Sequence, residues 1–562
     1  MNRRFVAAQT SIALIVALFA ARWQVAARSQ GGVPEAKVDA LFARWNAQTT
    51  PGCAVGASVG AKIVLAKAYG MADLEHDVRN TPDTIFEAGS VSKQFTAAAV
   101  LLLAREGKLS LDDPARKYIP ELPEYPSPLL VRQMLQHTSG LRDWGNVAGI
   151  AGWPRTSRVH THAHVLDIVR RQRALNFEPG TDWSYSNTGY NLAAIIVSRV
   201  SGEPFAEFTK KRIFQPLGMT RTSWRDDYTR IVKHRAIAYA DTRETYRMEM
   251  PFENVHGNGG LLTTVGDLLR WNENFVEPKV GDADFLREQQ RPGRFKNGQQ
   301  HDYGLGLYIR TYKGLREVGH SGSTAGYRAY LVRYPDQRVS VAVLCNVTTG
   351  TAERFAHDVA DLYLAGNLKP AAASAVARLS AAELDARVGL YRSLKTGEPM
   401  TISRDADANQ LRADANQILT ALSPSRFRMG TGDSILEVQT RPDGTVSGAR
   451  VVRPNGTSEE FDRVVTAQPT PHQLQELAGV YASDDAETTF TVAVSGGSLQ
   501  LKRRPDTTLT LRPLYTDAFS TSSLGTIRFH RDRQGRVIEL SVIMDRVWDM
   551  RFRREAETTT SQ

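Results

Sequence analysis

Residues 86–104 read Phe-Glu-Ala-Gly-Ser-Val-Ser-Lys-Gln-Phe-Thr-Ala-Ala-Ala-Val-Leu-Leu-Leu-Ala, a short polar segment followed by a run of apolar helix formers. Because the run is apolar almost all round and Gly107 follows it, we predict a buried helix with Ser90 at its N-terminus. Lys93 lies one turn further along the same face, so its amine can share a proton with the Ser90 hydroxyl. This S-x-x-K spacing is typical of a serine nucleophile with a lysine partner, although a capping serine beside an incidental lysine has the same pattern.

A turn-rich loop at residues 179–187 carries a second pair of polar side chains. Tyr185 and Asn187 are two residues apart, so both can project from one loop. The phenol can accept a proton if a neighbouring lysine lowers its pKa, and the amide can orient a substrate carbonyl or the lysine. Most Tyr-x-Asn tripeptides lie in surface loops without a catalytic role. The pair therefore indicates catalysis only if it lies close to a nucleophile.

The small-residue segment 318–327 supplies a third group. We expect a strand edge here, where Gly322 and its neighbours let a substrate backbone approach closely. The backbone amides of Ser323 and Ser90 would then offer two donors to an oxyanion. His320 would orient the substrate, and an imidazole with an ordinary pKa of about 6.5 gains its charge as the pH falls below neutral. The alternative is a glycine-rich turn with an incidental histidine.

The region before residue 366 mixes both kinds of secondary structure. Apolar runs predict strands at residues 53–58, 62–69, 327–334 and 339–345. Apolar residues at helical spacing predict helices at residues 92–106, 129–136, 164–171, 189–200, 205–213 and 265–275. A sheet built from both ends of the region, with helices between, indicates a layered α+β or α/β fold.

The rest of the chain is divided by a small-residue linker after Gly366 and a proline-containing break at residues 466–471. The two segments that follow these breaks resemble each other at one constant shift: Leu384, Gly389, Tyr391 and Ser393 match Leu474, Gly479, Tyr481 and Ser483. A constant shift indicates a duplicated unit. Short alternating runs broken by turns predict two small antiparallel β-barrels, residues 381–466 and 471–556.

Residues 1–27 have the pattern of a secretory signal peptide, with Arg3 and Arg4, an apolar run over residues 11–21 and small residues at the end. The run is too short for an ordinary spanning helix, although an uncleaved anchor is the alternative. We expect a periplasmic or secreted protein with no stable membrane span after cleavage. A net charge of +10 over 562 residues is mild and argues against a nucleic-acid partner.

The chain has two cysteines, Cys53 and Cys345, so no disulfide framework holds it together. Both lie in apolar strand-like runs. We expect buried free thiols, with a single bridge as the alternative if the two strands are neighbours.

Two other patterns compete for a functional role. Residues 56–60 match the G-x-S-x-G nucleophile elbow, but the pattern around Ser58 is that of a hairpin rather than strand, turn and helix. His160, His162 and His164 alternate as metal ligands can, yet they lie in a polar lead-in to a helix, so we expect a solvated loop and no metal. His137 is expected to be a structural residue at a helix end.

Taken together, the motifs at Ser90, Tyr185 and His320 resemble those of the penicillin-recognising serine hydrolases: class C β-lactamases, DD-carboxypeptidases, D-aminopeptidases and family VIII carboxylesterases. Residues 106–113, 137–141, 216–219 and 259–264 share this resemblance, which covers roughly residues 35–365. It implies a five-stranded antiparallel sheet flanked by helices, with a helical region inserted. The two barrels are similar to the lipocalin-like barrels of three-domain D-aminopeptidases.

The resemblance also implies an acyl-enzyme mechanism in a hydrolase domain over residues 28–365, followed by a linker at 366–380. Ser90 would be the nucleophile and Lys93 and Tyr185 the proton-shuttling pair, with substrate and oxyanion contacts from Asn187, His320, Gly322 and Ser323. No cofactor or metal is implied. The favoured substrate is a D-amino-acid-containing peptide, because His320 stands where class C β-lactamases have lysine and because the two barrels are present. The alternatives are an esterase or β-lactamase of the same family, or a sensor that stays acylated. The sequence leaves the oligomeric state open.

Overall fold

The computed structural model describes residues 35–369, 377–405, 407–414, 416–430 and 432–556, so the expected signal peptide lies outside the described residues. An antiparallel six-stranded sheet forms the centre of the first domain, in the spatial order β3-β4-β5-β6-β1-β2. The strands are β1 (Cys53–Val59), β2 (Lys62–Tyr69), β3 (Tyr308–Tyr312), β4 (Leu315–Thr324), β5 (Tyr327–Tyr334) and β6 (Val339–Cys345). The sheet is thus built from both ends of the domain, as predicted.

Both faces of this sheet are buried. Along β6, Ala342 and Leu344 join one hydrophobic cluster, whereas Val341 and Val343 join another on the opposite face. This double burial explains why the central strands are continuous apolar runs rather than alternating ones. The edge strand β3 adds a sixth strand to the five that the resemblance implied. Its sequence, Tyr-Ile-Arg-Thr-Tyr, is short and half-exposed, so it gave no strong strand pattern.

Helices cover the sheet and form the inserted region between β2 and β3. They are α1 (Glu35–Leu41), α2 (Lys93–Arg105), α3 (Val131–Leu135), α4 (Trp144–Ile150), α5 (His162–Arg171), α6 (Asn187–Ser201), α7 (Phe205–Thr209), α8 (Gln215–Leu217), α9 (Val265–Glu273), α10 (Ala283–Gln289) and α11 (Ala352–Leu364). The predicted helix at 205–213 divides into α7 and a π-helical turn, Lys210–Phe214. Within the described ranges, no helix has the length and apolar character needed to cross a membrane.

Short paired strands tie the loops of the helical region together. They are Met71–Asp73 with Val78–Arg79, Tyr239–Asp241 with Tyr246–Met248, and Leu261–Thr263 between Phe86–Glu87 and Ser223–Trp224. The last of these sheets matters for the site. It places the glycine-rich residues 257–261 against the segment that leads into Ser90.

Two closed eight-stranded antiparallel barrels follow the first domain, as predicted. Helix α12 (Ala381–Asp385) precedes the first barrel, whose strands are β7 (Gly389–Ser393), β8 (Pro399–Asp405), β9 (Gln410–Ala413), β10 (Gln417–Ala421), β11 (Arg426–Met429), β12 (Ile435–Thr440), β13 (Val446–Val452) and β14 (Ser458–Val464). Helix α13 (Pro471–Leu477) precedes the second, with β15 (Gly479–Ser483), β16 (Thr488–Ser495), β17 (Ser498–Arg503), β18 (Thr507–Pro513), β19 (Ala518–Ser520), β20 (Thr526–Arg531), β21 (Val537–Met544) and β22 (Val547–Arg554).

Equivalent tyrosines make the same contact in the two barrels. The Tyr391 hydroxyl donates to the carbonyl oxygen of Arg387 at 2.7 Å, and the Tyr481 hydroxyl donates to that of Leu477 at 2.8 Å. Each bond joins the first strand of a barrel to the end of the preceding helix or, in the first barrel, to the turn that follows it. The duplication inferred from the constant shift is therefore also present in the hydrogen bonding.

The expectation of free thiols at Cys53 and Cys345 is wrong. The two residues are direct partners in the register between β1 and β6, and they form a disulfide bond. Both are fully buried. The sequence left this open because the pairing of β1 with β6 joins strands 292 residues apart.

The second barrel packs directly on the helical region of the first domain. Arg142 is buried, and its guanidinium donates to the Asp485 carboxylate at 2.8 Å and to the Asp549 carbonyl at 2.6 Å. Gln172 donates to the Asp485 carbonyl at 2.8 Å. A buried cation on one domain is thus satisfied by groups of another, which fixes the barrel beside the loop that carries Tyr185.

Candidate active site

Ser90 lies in a 3₁₀ turn, Gly89–Ser92, that runs directly into α2. Lys93 is the first residue of α2, and its Nζ lies 3.0 Å from the Ser90 Oγ. The helix interior is apolar and buried, which makes α2 a rigid support for the turn. The structure therefore brings together the hydroxyl and the amine that the S-x-x-K spacing predicted to meet.

The Lys93 amine is held by two further groups. It lies 2.9 Å from Asn187 Oδ1 and 2.7 Å from the backbone carbonyl oxygen of Asn258. Lys93 is fully buried, and this burial lowers the pKa of its amine well below the usual range, with the positive charge of Arg546 acting in the same direction. A neutral amine fixed beside a serine hydroxyl can accept its proton.

Tyr185 lies on the other side of this amine, with Lys93 Nζ 4.9 Å from the centroid of its ring. The phenol can accept a proton if a neighbouring lysine lowers its pKa. Instead, burial raises the pKa of Tyr185, although its contact with the Ser90 hydroxyl and the charge of Arg546 oppose this. The condition for proton acceptance is therefore not met, because burial of the phenol outweighs the groups that lower its pKa. Tyr185 is thus a phenol that keeps its proton at neutral pH.

The strand β4 packs against the turn that carries the serine. A Cβ atom on Gly322 would lie 2.0 Å from the Ala88 carbonyl oxygen and 3.1 Å from the Ser90 nitrogen. Gly89 has a φ of +51°, and a Cβ there would lie 2.6 Å from the Ser323 nitrogen. Only glycine allows the two backbones to come this close. The amides of Ser90 and Ser323 therefore lie on adjoining segments, where the oxyanion prediction requires them.

His320 is buried, and both of its ring nitrogens are engaged. The Tyr303 hydroxyl lies 2.8 Å from Nε2, and Nδ1 lies 2.6 Å from the Ser321 carbonyl oxygen. A carbonyl only accepts, so Nδ1 carries the proton and Nε2 accepts from Tyr303. Burial lowers the pKa of His320 to about 3, with Lys93 acting in the same direction. The expectation that this ring gains a charge just below neutral pH is wrong. Burial excludes water from the ring and so disfavours its protonated form.

A cavity of about 1160 Å³ opens over these groups. Ser90, Tyr185, Asn187, His320, Gly322 and Ser323 line it, and Lys93 lies beneath them. The predicted site residues thus converge on one concave surface, although they come from three separate segments of the chain. Such a cavity is large enough for a short peptide.

Several groups at this site were missed by sequence reasoning. Asn258 supplies a carbonyl to Lys93, and its side-chain oxygen accepts from Asn191 at 2.6 Å. Asp143 accepts the backbone amide of Asn187 at 2.8 Å, and Tyr303 donates to His320. None of these belongs to a motif with its own spacing. Arg546 comes from the second barrel and could have been found only from the docking of that barrel.

The competing patterns have structural roles. Ser58 is buried in β1, between two paired strands, so it has no elbow around it. His160 contacts the Trp153 carbonyl, and His164 contacts the Thr161 amide at the start of α5. His137 follows α3, and its Nδ1 accepts from the Ser186 amide at 3.2 Å, so it supports the Tyr185 loop as a structural residue. His160 is buried rather than solvated, which corrects that expectation.

Comparison with known proteins agrees with this arrangement. The β-lactamase family model matches residues 37–365. A D-aminopeptidase of Gluconobacter oxydans strain 621H is 28% identical over 469 residues, which are 82% of this chain and 85% of the relative. The octameric penicillin-binding protein homologue of Pyrococcus abyssi has a TM-score of 0.53 at 23% identity, over 84% of this chain and 98% of that one. The D-amino acid amidase of Ochrobactrum anthropi SV3 has a TM-score of 0.51 at 22% identity, over 59% and 98%.

The matched region spans more than half of the chain and contains Ser90, Lys93, Tyr185 and His320. The chain belongs to the β-lactamase family. It is a penicillin-recognising serine hydrolase with the domain layout of the D-aminopeptidases.

Proposed function

We propose that this protein is an exported peptidase that cleaves D-amino-acid-containing peptides through an acyl-enzyme. The observation that carries the proposal is the 3.0 Å contact between Ser90 Oγ and the buried amine of Lys93. Burial lowers the pKa of this amine well below its usual range, which favours the neutral form that acts as a base. The named activities of relatives, D-aminopeptidase and D-amino acid amidase, support the choice of D-configured substrates.

In the acylation step, Ser90 Oγ attacks the carbonyl carbon of the scissile amide and its proton passes to Lys93 Nζ. The amides of Ser90 and Ser323 stabilise the oxyanion that forms. The C–N bond then breaks, and the leaving amine takes a proton from the Tyr185 phenol, which regains one from Lys93. Water repeats the sequence on the ester and releases the acid. Asn187 holds Lys93 in place, and His320 positions β4 through its bonds to Tyr303 and Ser321.

Export is supported by two features. Residues 1–27 have the signal-peptide pattern, and a disulfide bond such as Cys53–Cys345 persists in oxidising compartments. Expression of the full chain in a bacterial host, followed by fractionation and mass determination of the mature N-terminus, tests this. A protein retained in the cytoplasm with residues 1–27 intact would contradict it.

The activity is tested with purified protein and a substrate panel. The panel contains D- and L-alanyl p-nitroanilides, N-acetyl-D-Ala-D-Ala, a p-nitrophenyl ester and nitrocefin. We expect multiple turnovers on D-configured peptides and slower turnover of nitrocefin. Turnover confined to the ester would favour an esterase, and a single acylation without turnover would favour a sensor.

A further inference from the structure

The loop that carries Tyr185 is anchored to the first domain at two points. The Gly180 amide donates to the Thr138 carbonyl at 2.7 Å, and the Ser184 amide donates to the His137 carbonyl at 3.0 Å. The His137 ring also packs on the Tyr185 ring, with 4.2 Å between the two centroids. The inner side of the loop is therefore held close to the reacting groups.

The segment between these two anchors has little backbone support. Among the described residues, 181–183 make no backbone hydrogen bond to any part of the chain outside 178–187. On the outer side of the loop lies a cavity of about 300 Å³, with Trp183 in one wall and Glu398 and Arg453 of the first barrel in the other. Because a cavity offers no packing contacts, this side of the loop depends on another kind of support.

A side chain of the first barrel provides such a support. Lys395 lies in the turn between β7 and β8, and its ammonium pairs with the Asp182 carboxylate. The Lys395 side chain is 31% exposed and that of Asp182 is 16% exposed. The other oxygen of Asp182 accepts the Trp183 amide at 2.8 Å. This carboxylate therefore joins the barrel to the backbone two residues before Tyr185.

The turn that carries Lys395 is itself held in place. The Tyr515 hydroxyl of the second barrel donates to the Gly397 carbonyl. The Ser393 hydroxyl accepts the amides of Lys395 and Thr396 at 3.2 and 3.1 Å. A fixed backbone limits the positions open to the Lys395 ammonium, which lowers the entropy cost of keeping the ion pair in one geometry.

A neighbouring lysine holds a different part of the loop. Lys296 pairs with Glu178, which precedes both anchors, and its amide donates to the Gly180 carbonyl at 2.8 Å. In the part of the chain that the structure describes, Lys395 is the one cation within 4 Å of the Asp182 carboxylate. Support next to the catalytic tyrosine therefore comes from the barrel.

We propose that Lys395 is a positioning residue, which through Asp182 holds Tyr185 where its phenol can protonate the leaving amine. This inference rests on the proposed acyl-enzyme function and assigns the first barrel a part in the reaction. An amine leaves the tetrahedral intermediate only with a proton, whereas p-nitrophenolate is stable as an anion and leaves without one. A displaced Tyr185 therefore slows the cleavage of an amide more than that of an ester.

The test compares two substrates with the same acyl group, the p-nitroanilide and the p-nitrophenyl ester of D-alanine. Both give the same acyl-enzyme, so the anilide-to-ester ratio of kcat/KM reports the acylation step alone. We expect this ratio to fall about threefold in Lys395→Met, as for loss of a partly exposed ion pair, and to recover in Lys395→Arg. Tyr185→Phe should lower it further. Any loss of folded enzyme reduces both rates equally and cancels in the ratio.

The matched control is Lys67→Met. Lys67 is 26% exposed and pairs with Asp39 at 2.8 Å on β2, so this variant removes an equal charge from a similar ion pair outside the site. Asp182→Asn keeps an acceptor for the Trp183 amide but loses the pair, and in combination with Lys395→Met it should lower the ratio no further than the worse single variant. An unchanged ratio in Lys395→Met, an equal fall in Lys67→Met or additive losses in the double variant would overturn the proposal.

A second measurement is independent of activity. Hydrogen exchange of residues 179–187, followed by mass spectrometry of peptic fragments, should be at least about threefold faster in Lys395→Met than in the wild type and unchanged in Lys67→Met. If the wild type turns over neither substrate, the proposed function fails. Faster exchange in Lys395→Met would then still support the positioning of the loop by the barrel, and unchanged exchange would overturn it.

Discussion

The Tyr303 hydroxyl donates to Nε2 of His320 at 2.8 Å, and neither side chain is open to solvent. This bond selects the tautomer in which Nδ1 carries the proton and donates to the Ser321 carbonyl. Through these two hydrogen bonds the imidazole holds β4 in place next to Ser90. Its neutral form is part of the folded structure, which has consequences for the dependence of stability on pH.

We predict that His320 makes the protein less stable as the pH falls. The pKa of His320 is about 3 in the folded state and about 6.5 in an unfolded chain, so the unfolded chain binds the extra proton first. The stabilising contribution is complete above pH 6.5 and is lost progressively down to pH 3. Between pH 7 and 5 the wild type should lose about 1–2 kcal/mol more unfolding free energy than His320→Gln, as measured by denaturant titration. Parallel pH curves for the two proteins would contradict this.

Ser90→Ala should lower turnover by at least about three orders of magnitude, as loss of the nucleophile does in other serine hydrolases. Ser58→Ala is the matched control, because Ser58 is a buried serine within β1 and should leave turnover near the wild-type rate. A fluorophosphonate probe should label the wild type and Ser58→Ala but not Ser90→Ala. Label that persists in Ser90→Ala and disappears in Ser58→Ala would show that the nucleophile is assigned to the wrong serine.

Lys93→Ala should be almost as damaging as Ser90→Ala, because the nucleophile and its base act as one unit whose losses do not add. The double variant should therefore be no slower than the worse single variant. Turnover of the three proteins on one substrate decides this. A double variant slower by the product of both single effects would show that Lys93 acts independently of Ser90.

Replacement of both Cys53 and Cys345 by alanine should lower the unfolding free energy by about 2–4 kcal/mol, since the bridge closes a loop of 292 residues. The loss should appear as a lower Tm, and a reductant should lower the Tm of the wild type but not that of the variant. The native protein should show no thiol that reacts with Ellman's reagent after denaturation without reductant. Two reactive thiols would show that the bridge does not form.

Cutting the chain after Gly366 should leave a folded first domain of reduced stability. The sheet and helices of that domain are complete before residue 366, but Arg142 loses the Asp485 carboxylate and the Asp549 carbonyl. A buried cation without its partners costs about 3–5 kcal/mol, although exposure to water in the truncated protein relieves part of this. Circular dichroism and a thermal melt measure the outcome. An insoluble or molten product would show that the barrels complete the core of the first domain.

The sequence predicted those features that depend on local pattern. The strands β2, β5 and β6 were predicted with their observed bounds. In β5 and β6 the pattern follows from burial on both faces, which favours continuous apolar runs. Ser90 and Lys93 meet because one helical turn separates them. The sequence did not reveal the raised pKa of Tyr185, and the ordinary pKa expected for His320 was wrong, because both shifts depend on burial by distant segments. Arg546 was missed for the same reason, since no pattern within residues 537–554 records what the turn contacts.

The pairing of Cys53 with Cys345 also dictates the order in which this molecule can be assembled. During synthesis, β1 is made early, but it cannot pair with β6, its neighbour in the centre of the sheet, until nearly the whole first domain has been synthesised. Such distant pairing is slow, because loop closure must precede the contacts that stabilise it. The two barrels, in contrast, are built from strands adjacent in sequence and can each close as soon as they are complete. The active site can therefore form only after β6 has been synthesised, and a chain that ends before β6 would be inactive.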